Sequence, residues 1–305
     1  MRPESAEEVL DAAAAWWETS IIDVAPGSIA MRGYAIQELI GSISFPDMIW
    51  LMLRGELPAP EQARLLEAAL VAGVDHGPHA PSIAIARMAV TCGVPLNGAM
   101  ASAVNVLDDI HGGAGQQCME LYQQVCDAPG AAEDFAAAAR TVIRRRMDAG
   151  EKVVPGFGHR FHPIDPRTRP LMALIEKAEA EGSVSGQYAR IGRAVEGELR
   201  AIKGRHIPMN IDGTTAVMYC ELGFAPELGR GLFVLSRAVG ILAHAWEQKQ
   251  QGRRIMGPMP KEIPYRYAGP GRRHLPAKAH DGITTAPSSP RSGPAPNSTT
   301  NRSTR

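Results

Sequence analysis

Alternating runs of β-branched and aromatic residues are nearly absent from this sequence, which removes the usual material of a β-sheet. Cysteine is scarce too: Cys92, Cys118, Cys126 and Cys220 form no Cys-x-x-Cys pair. Four scattered cysteines among 305 residues exclude a disulfide scaffold and a zinc ribbon, and read as free thiols in a reducing compartment. Excess charge of either sign is missing, since 32 Lys and Arg face 32 Asp and Glu. A global footprint for nucleic acid or a membrane surface is thereby excluded. No apolar run approaches the roughly 20 residues needed to cross a bilayer. The opening "MRPESAEEVLDAAAAWW" is acidic where a secretory signal is basic, so a cytoplasmic protein is expected. A P-loop and a Gly-x-Gly-x-x-Gly fingerprint are absent as well, and the cofactor classes they announce are not expected.

What is present is helix. Ala-rich segments with apolar residues three and four apart recur throughout and predict an all-α fold. Helices are expected over 6–18, 36–41, 46–54, 60–72, 81–92, 97–108, 112–127, 131–148, 168–180, 187–202, 211–221, 226–229 and 231–250. Pro58 with Pro60, Gly93 with Pro95, and Pro226 supply stops and starts. The length allows a sizeable core, in one large domain or two unequal lobes. Residues 1–20 form an N-terminal extension, and 187–205, poor in large apolar residues, mark a small helical lobe. After Pro270 the chain turns to Ser, Thr, Pro and Arg; 271–305 has too little to bury to offset its ordering entropy and reads as a disordered basic tail.

Four stretches gather chemistry at helix boundaries: "VDHGPHAPS" (74–82), "DDIHGGAGQQ" (108–117), "VPGFGHRFHPIDPR" (154–167) and "IPMNIDGTTAV" (207–217). In the third, Gly156 and Gly158 permit backbone conformations closed to other residues, while Pro163 and Pro166 forbid a regular helix. The result is a shaped loop carrying His159, His162, Asp165 and Arg167, fit either to place ionisable groups in a site or to connect two helices. His111 precedes a predicted helix start, whose amides and dipole would keep it neutral and able to donate to a developing enolate. A capping turn with a solvated histidine is the alternative. Asp212 is either a helix N-cap or a general base. His76 with His79, and His159 with His162, share a two-residue gap, but proline interrupts each neighbourhood and no acidic or cysteine ligand stands at helical spacing, so no metal is expected. In "LFVLSRAVGILAHAWEQ" (232–248), Arg237 and His244 share a face, and Leu235, Val239, Leu242 and Trp246 supply an apolar stripe. A buried arginine demands an acidic neighbour or an anionic substrate. Arg167, Arg237 and Arg253 or Arg254 together suit a dicarboxylate, which guanidinium forks grip bidentately.

The order His76, His111, His159, Asp212, Arg237, embedded in "DHG", "HGGA", "GFGHR", "NIDG" and "LSRAVGILAHAWEQ", resembles the citrate synthase superfamily. The segment "RGYAIQELIGSISFPDMIWLMLRGELP" at 32–58 is similar to that family's RGY-to-GELP stretch, and the resemblance covers about residues 20–270. It implies a citrate synthase-like catalytic domain over 21–270, with a large helical domain, a small one at about 160–220, and the 153–170 loop as a substrate loop at their hinge. By the same resemblance Asp212 is the base at the acetyl-CoA methyl group, His111 the neutral donor to the enol or enolate, and His159 the residue at the oxaloacetate carbonyl. His76, Arg167 and Arg237 would bind oxaloacetate, joined by Arg254 or its neighbour Arg253 from the chain itself or a dimer partner. Coenzyme A enters as a substrate carrier, so neither a cofactor nor a metal is implied, and the partners implied are small-molecule substrates and a second copy of the chain in a homodimer or higher homo-oligomer.

The sequence departs from the full-length synthases in three places. Only one predicted helix separates Pro58 from His76, "DHGP" stands in place of a DH-x-x-N stretch, and the span from His159 to Arg167 is shorter by about one residue. The first two departures resemble the citryl-CoA lyase module found alone or at the end of ATP-citrate lyase, although His111 is retained as in the synthases. The expected activity is that of a citryl-CoA lyase, cleaving citryl-CoA to acetyl-CoA and oxaloacetate by retro-aldol chemistry. Citrate synthase, or a 2-methylcitrate synthase-like relative using another acyl-CoA or 2-oxo acid, is the alternative, and a CoA-thioester-binding pseudoenzyme is the alternative of another class.

Overall fold

The structure is a computed structural model that describes residues 5–158 and 163–274. They divide into two units, one up to Pro260 and one from Lys261 on. Residues 275–305, most of the tail expected to be disordered, lie outside the described residues.

Helix dominates, as the periodicity implies, but the N-terminal part carries a small sheet. Strands β1 (Ile22–Ala25), β2 (Ser28–Met31) and β3 (Tyr34–Ala35) pair antiparallel in that order, with Ile22 opposite Met31 and Ala30 opposite Ala35. Strands of four, four and two residues are too short to display an alternation in sequence. Arg32, between the last two, donates from Nε and Nη2 to the Met52 carbonyl at 3.2 and 2.7 Å and so ties the sheet to the helix behind it.

The helices among the described residues are α1 (Ala6–Trp16), α2 (Ile36–Leu39), α3 (Phe45–Arg54), α4 (Pro60–Gly73), α5 (Pro81–Thr91), α6 (Leu96–Val104), α7 (Ala114–Cys126), α8 (Phe135–Asp148), α9 (Thr168–Ala180), α10 (Gln187–Lys203), α11 (Ile211–Glu221) and α12 (Pro226–Gln251). Two boundaries differ instructively from the sequence expectation. The helix expected over 97–108 stops at Val104, because Asp108 and Asp109 turn outward to meet the Arg230 guanidinium at 2.7 and 2.5 Å. The two helices expected on either side of Arg230 are one: Gly229 is buried and lets α12 close on α7, since a Cβ there would run into Met119 Sδ. Glycine here serves a close approach and does not break the helix.

Two hydrophobic clusters follow. The larger gathers Leu65, Met119, Tyr122, Ile143, Ile175, Ile191 and Val217 from α4 and α7–α11; the smaller gathers Ile83, Ala86, Ala99, Ala103, Ile241 and Ala245 from α5, α6 and α12. α11 is buried from Gly213 to Cys220 on all sides, the mark of a central helix. α12 spans both clusters, with Leu232 in one and Ile241 in the other. Alone among the described helices it is long and apolar enough to cross a bilayer, yet one of its faces is packed into the core. Its opposite stripe of Leu235, Val239, Leu242 and Trp246 is 41–58% exposed. All four cysteines are free, with Cys118 and Cys220 buried.

Candidate active site

The N-terminus of α11 shows that Asp212 is not the helix cap. Asn210 is the cap: its side-chain oxygen accepts from the backbone N–H of Asp212 at 2.9 Å and of Gly213 at 3.2 Å. Asp212 stands at the second helical position, relieved of capping. The glycine-rich loop is stitched to the same residue. Gly156 accepts from the Asn210 N–H at 3.0 Å, Gly158 donates to the Pro208 carbonyl at 2.7 Å, and the Asn210 amide donates to the Gly158 carbonyl at 2.6 Å. Gly156 has φ +83°, and a Cβ on it would lie 2.5 Å from Cys118 Sγ. Only glycine permits that backbone to pass between α7 and α11. His159 and His162 lie outside the described residues.

Asp212, His76, His111, Arg167 and Arg237 line one cavity of about 440 Å³, with His79, Thr215, Tyr219 and Phe233 completing much of the wall. It opens where the two hydrophobic clusters meet, between α4, α5, α11 and α12. Arg254 is not brought there within the chain. With Arg253 it lines a second hollow of about 310 Å³ beside the C-terminal ends of α5 and α12.

The His111 ring is held by Ser82, at the second position of α5. The Ser82 backbone N–H donates to His111 Nε2 at 3.2 Å, and Ser82 Oγ stands 3.0 Å from the same nitrogen. A nitrogen that accepts from an amide carries no proton, so the ring is neutral with its hydrogen on Nδ1. Burial, and then the positive charge of Arg237, push its pKa below the usual histidine value. The amide that keeps His111 neutral therefore belongs to α5 and not, as the sequence implied, to the helix that follows it. Nothing local could reveal Ser82, which is 29 residues upstream.

Asp212 is pushed the other way. Burial raises its carboxyl above the ordinary range, the positive Arg167 and Arg237 pull it back in part, and Asp165 adds a smaller upward push. Arg237 is buried, donates from Nε to the Gly73 carbonyl at 3.1 Å, and stacks its guanidinium over the Phe233 ring at 4.9 Å. No ion pair to it occurs among the described residues. Burial lowers its pKa from the ordinary arginine value, and the charges of Asp75 and Asp212 act against that, without a direct ion pair to either.

Arg167 does have a partner. Asp165 grips it bidentately, Oδ1 to Nε and Oδ2 to Nη2, both at 2.9 Å. Burial pushes the Asp165 carboxyl up, but the Arg167 bonds and charge outweigh it and hold the pKa down at about 2. Asp165 Oδ2 also accepts from the Ile211 N–H at 3.0 Å, so one carboxylate fixes Arg167 to the first residue of α11. Asp165 was visible in sequence only as a loop residue two positions before Arg167. Its positioning part becomes plain when α11 is seen against it.

Residues 9–64 and 58–259 match the family model described as "Citrate synthase, C-terminal domain". The chain belongs to the citrate synthase family. It is 32% identical to the citrate synthase of Haloferax volcanii over 208 residues, which are 67% of this chain and 51% of that protein. The chain spans about half the length of the curated relatives it matches. Among solved structures, citryl-CoA lyase from Hydrogenobacter thermophilus superposes with a TM-score of 0.75 at 31% identity, covering 85% of this chain and 97% of that one. ATP citrate lyase from Methanothrix soehngenii, in complex with citrate and coenzyme A, gives 0.70 at 20% identity over 88% of this chain and 45% of that one, a likeness of fold. The citrate synthase-like fold and the family expected from the motifs are both shown.

Proposed function

We propose that this family member is a citryl-CoA lyase, cleaving citryl-CoA to acetyl-CoA and oxaloacetate. The observation that carries the reading is one cavity holding a neutral histidine with a free Nδ1–H, a carboxyl whose pKa burial raises, and a buried arginine that makes no ion pair among the described residues. Arg237, Arg167 and His76 would hold the carboxylates and carbonyl of the oxaloacetate end. His111 Nδ1–H would donate to the thioester oxygen, on which negative charge develops as the enolate forms. His159, assigned by resemblance, would accept the hydroxyl proton as the carbon–carbon bond breaks. The electron pair of that bond becomes the enolate, and protonated Asp212 returns a proton to its carbon to give acetyl-CoA. A carboxyl with a raised pKa is suited to that step, since it must start protonated. Read backwards, the same groups perform the condensation.

Cleavage is favoured over net synthesis by the likeness in fold and sequence to the citryl-CoA lyase of Hydrogenobacter thermophilus and by the single helix, α4, between Pro58 and His76. Citrate synthase remains the second reading, because the curated relatives carry that name. Purified protein supplied with citryl-CoA, and separately with acetyl-CoA and oxaloacetate, distinguishes them when free thiol and oxaloacetate are followed. Oxaloacetate from citryl-CoA without thiol release supports the lyase; thiol release with citrate formation supports the synthase. Binding of acetyl-CoA with turnover in neither direction would leave the pseudoenzyme.

We also propose a soluble cytoplasmic homodimer. The stripe of Leu235, Val239, Leu242 and Trp246 repeats at four, three and four residues, the spacing of a helix–helix seam, and lies exposed beside the charge-poor α6.

A further inference from the structure

The segment "AHAWEQ" on α12 lies outside the cavity, yet three of its side chains converge on one residue. Arg87, on α5, donates from Nε to Gln248 Oε1 at 3.0 Å, from Nη1 to Glu247 Oε2 at 2.8 Å, and from Nη2 to Gln251 Oε1 at 3.2 Å. Its Nη1 also stands 3.3 Å from His244 Nδ1. A guanidinium has no acceptor, so in this contact Nδ1 accepts and the hydrogen of the neutral ring sits on Nε2. That nitrogen lies 3.2 Å from Asp75 Oδ2. The same carboxylate oxygen accepts from the Gly77 N–H at 3.1 Å, closing a turn across His76 with Gly77 at φ +81°. Asp75 therefore brackets the one histidine of this turn that lines the cavity together with Arg237.

We propose that Arg87, His244 and Asp75 form a positioning relay that sets the orientation of His76. Arg87 fixes the tautomer of His244, His244 fixes the Asp75 carboxylate, and Asp75 fixes the turn from which His76 enters the cavity. A tie between α5 and α12 made only for stability would not need the imidazole in this tautomer, nor a carboxylate reached through it. The part of the inference that concerns oxaloacetate rests on the function proposed above.

The test uses the full chain labelled with ¹⁵N-histidine, with the His244 and His76 rings assigned by their loss in His244→Gln and His76→Gln. Long-range ¹H–¹⁵N spectra at mildly alkaline pH are expected to show His244 as the Nε2–H tautomer; the Nδ1–H tautomer would overturn the relay. In His244→Phe the His76 ring signals should move, and in His244→Gln, whose amide offers both a donor and an acceptor, they should return towards the wild-type positions. His76 signals indifferent to both changes would likewise overturn it. By calorimetry, His244→Phe should weaken oxaloacetate binding roughly tenfold, the scale of one lost oriented hydrogen bond. Acetyl-CoA affinity and Tm should stay near wild type, and equal losses for both ligands would reduce the relay to a structural tie. Wild-type protein that binds no oxaloacetate would count against the proposed function, while the tautomer and the His76 signals would still decide the relay.

Discussion

Asp212 and Asp165 are two carboxylates of one site that differ in what surrounds them. Asp212 has no cation bonded to it among the described residues, and burial raises its pKa; Asp165 is clamped by Arg167 and is driven down to about 2. For an acid whose folded pKa is raised, the ionised form costs stability at neutral pH. Asp212→Asn is therefore expected to leave Tm unchanged or slightly higher while lowering turnover by about 100- to 10,000-fold, the usual worth of a general acid–base group. Turnover within a few-fold of wild type would sink the assignment. The lowered pKa of Asp165 has the opposite sign. Its contribution is present above the ordinary aspartate value of about 3.9 and is lost as pH falls towards about 2. Acid unfolding of Asp165→Asn should lose the part of its pH dependence that lies in that window, as read by circular dichroism.

At the scale of elements, the site depends on two helix N-termini meeting. α11 presents Asp212 because Asn210 takes the cap, and α5 presents Ser82 to His111. Asn210→Ala removes the cap of α11 and also the amide that binds the Gly158 carbonyl. It should cost about 1–2 kcal/mol in urea unfolding and lower activity as well, since Asp212 rides on that turn. Ser82→Ala keeps the backbone N–H that holds His111 and should change turnover only a few-fold. A loss as large as that expected for Asp212→Asn would mean that the hydroxyl, and not the amide, fixes the tautomer.

For the whole molecule the exposed seam on α12 matters most. An apolar stripe from Leu235 to Trp246, about 16 Å long at 1.5 Å per residue, with no charge on it, is poor surface for a monomer. If two copies meet through it, Val239→Glu places like charges at a closed interface and should convert the dimer to a monomer of about 33 kDa in light scattering at micromolar protein. A wild-type protein that is monomeric at that concentration would remove the seam from consideration.

The predominantly helical body, the helix ends marked by Pro60, Pro95 and Pro226, and the family motifs were legible in the sequence because they are local. Helix periodicity, caps and glycine punctuation act within a few residues, and His76, His111, Arg167, Asp212 and Arg237 stand in such local contexts. The three-stranded sheet was not legible, its strands being too short to show a period, and neither was the unbroken passage of α12 through Gly229, which only the nearness of Met119 explains. How each site residue is held was likewise left to the tertiary structure. Asp212 is relieved of capping because Asn210 caps α11, His111 is neutral because Ser82 reaches it from another helix, and Arg167 is held because Asp165 also binds α11. Protonation and orientation depend on burial and on partners brought from distant parts of the chain, and those are properties of packing, which no local pattern encodes.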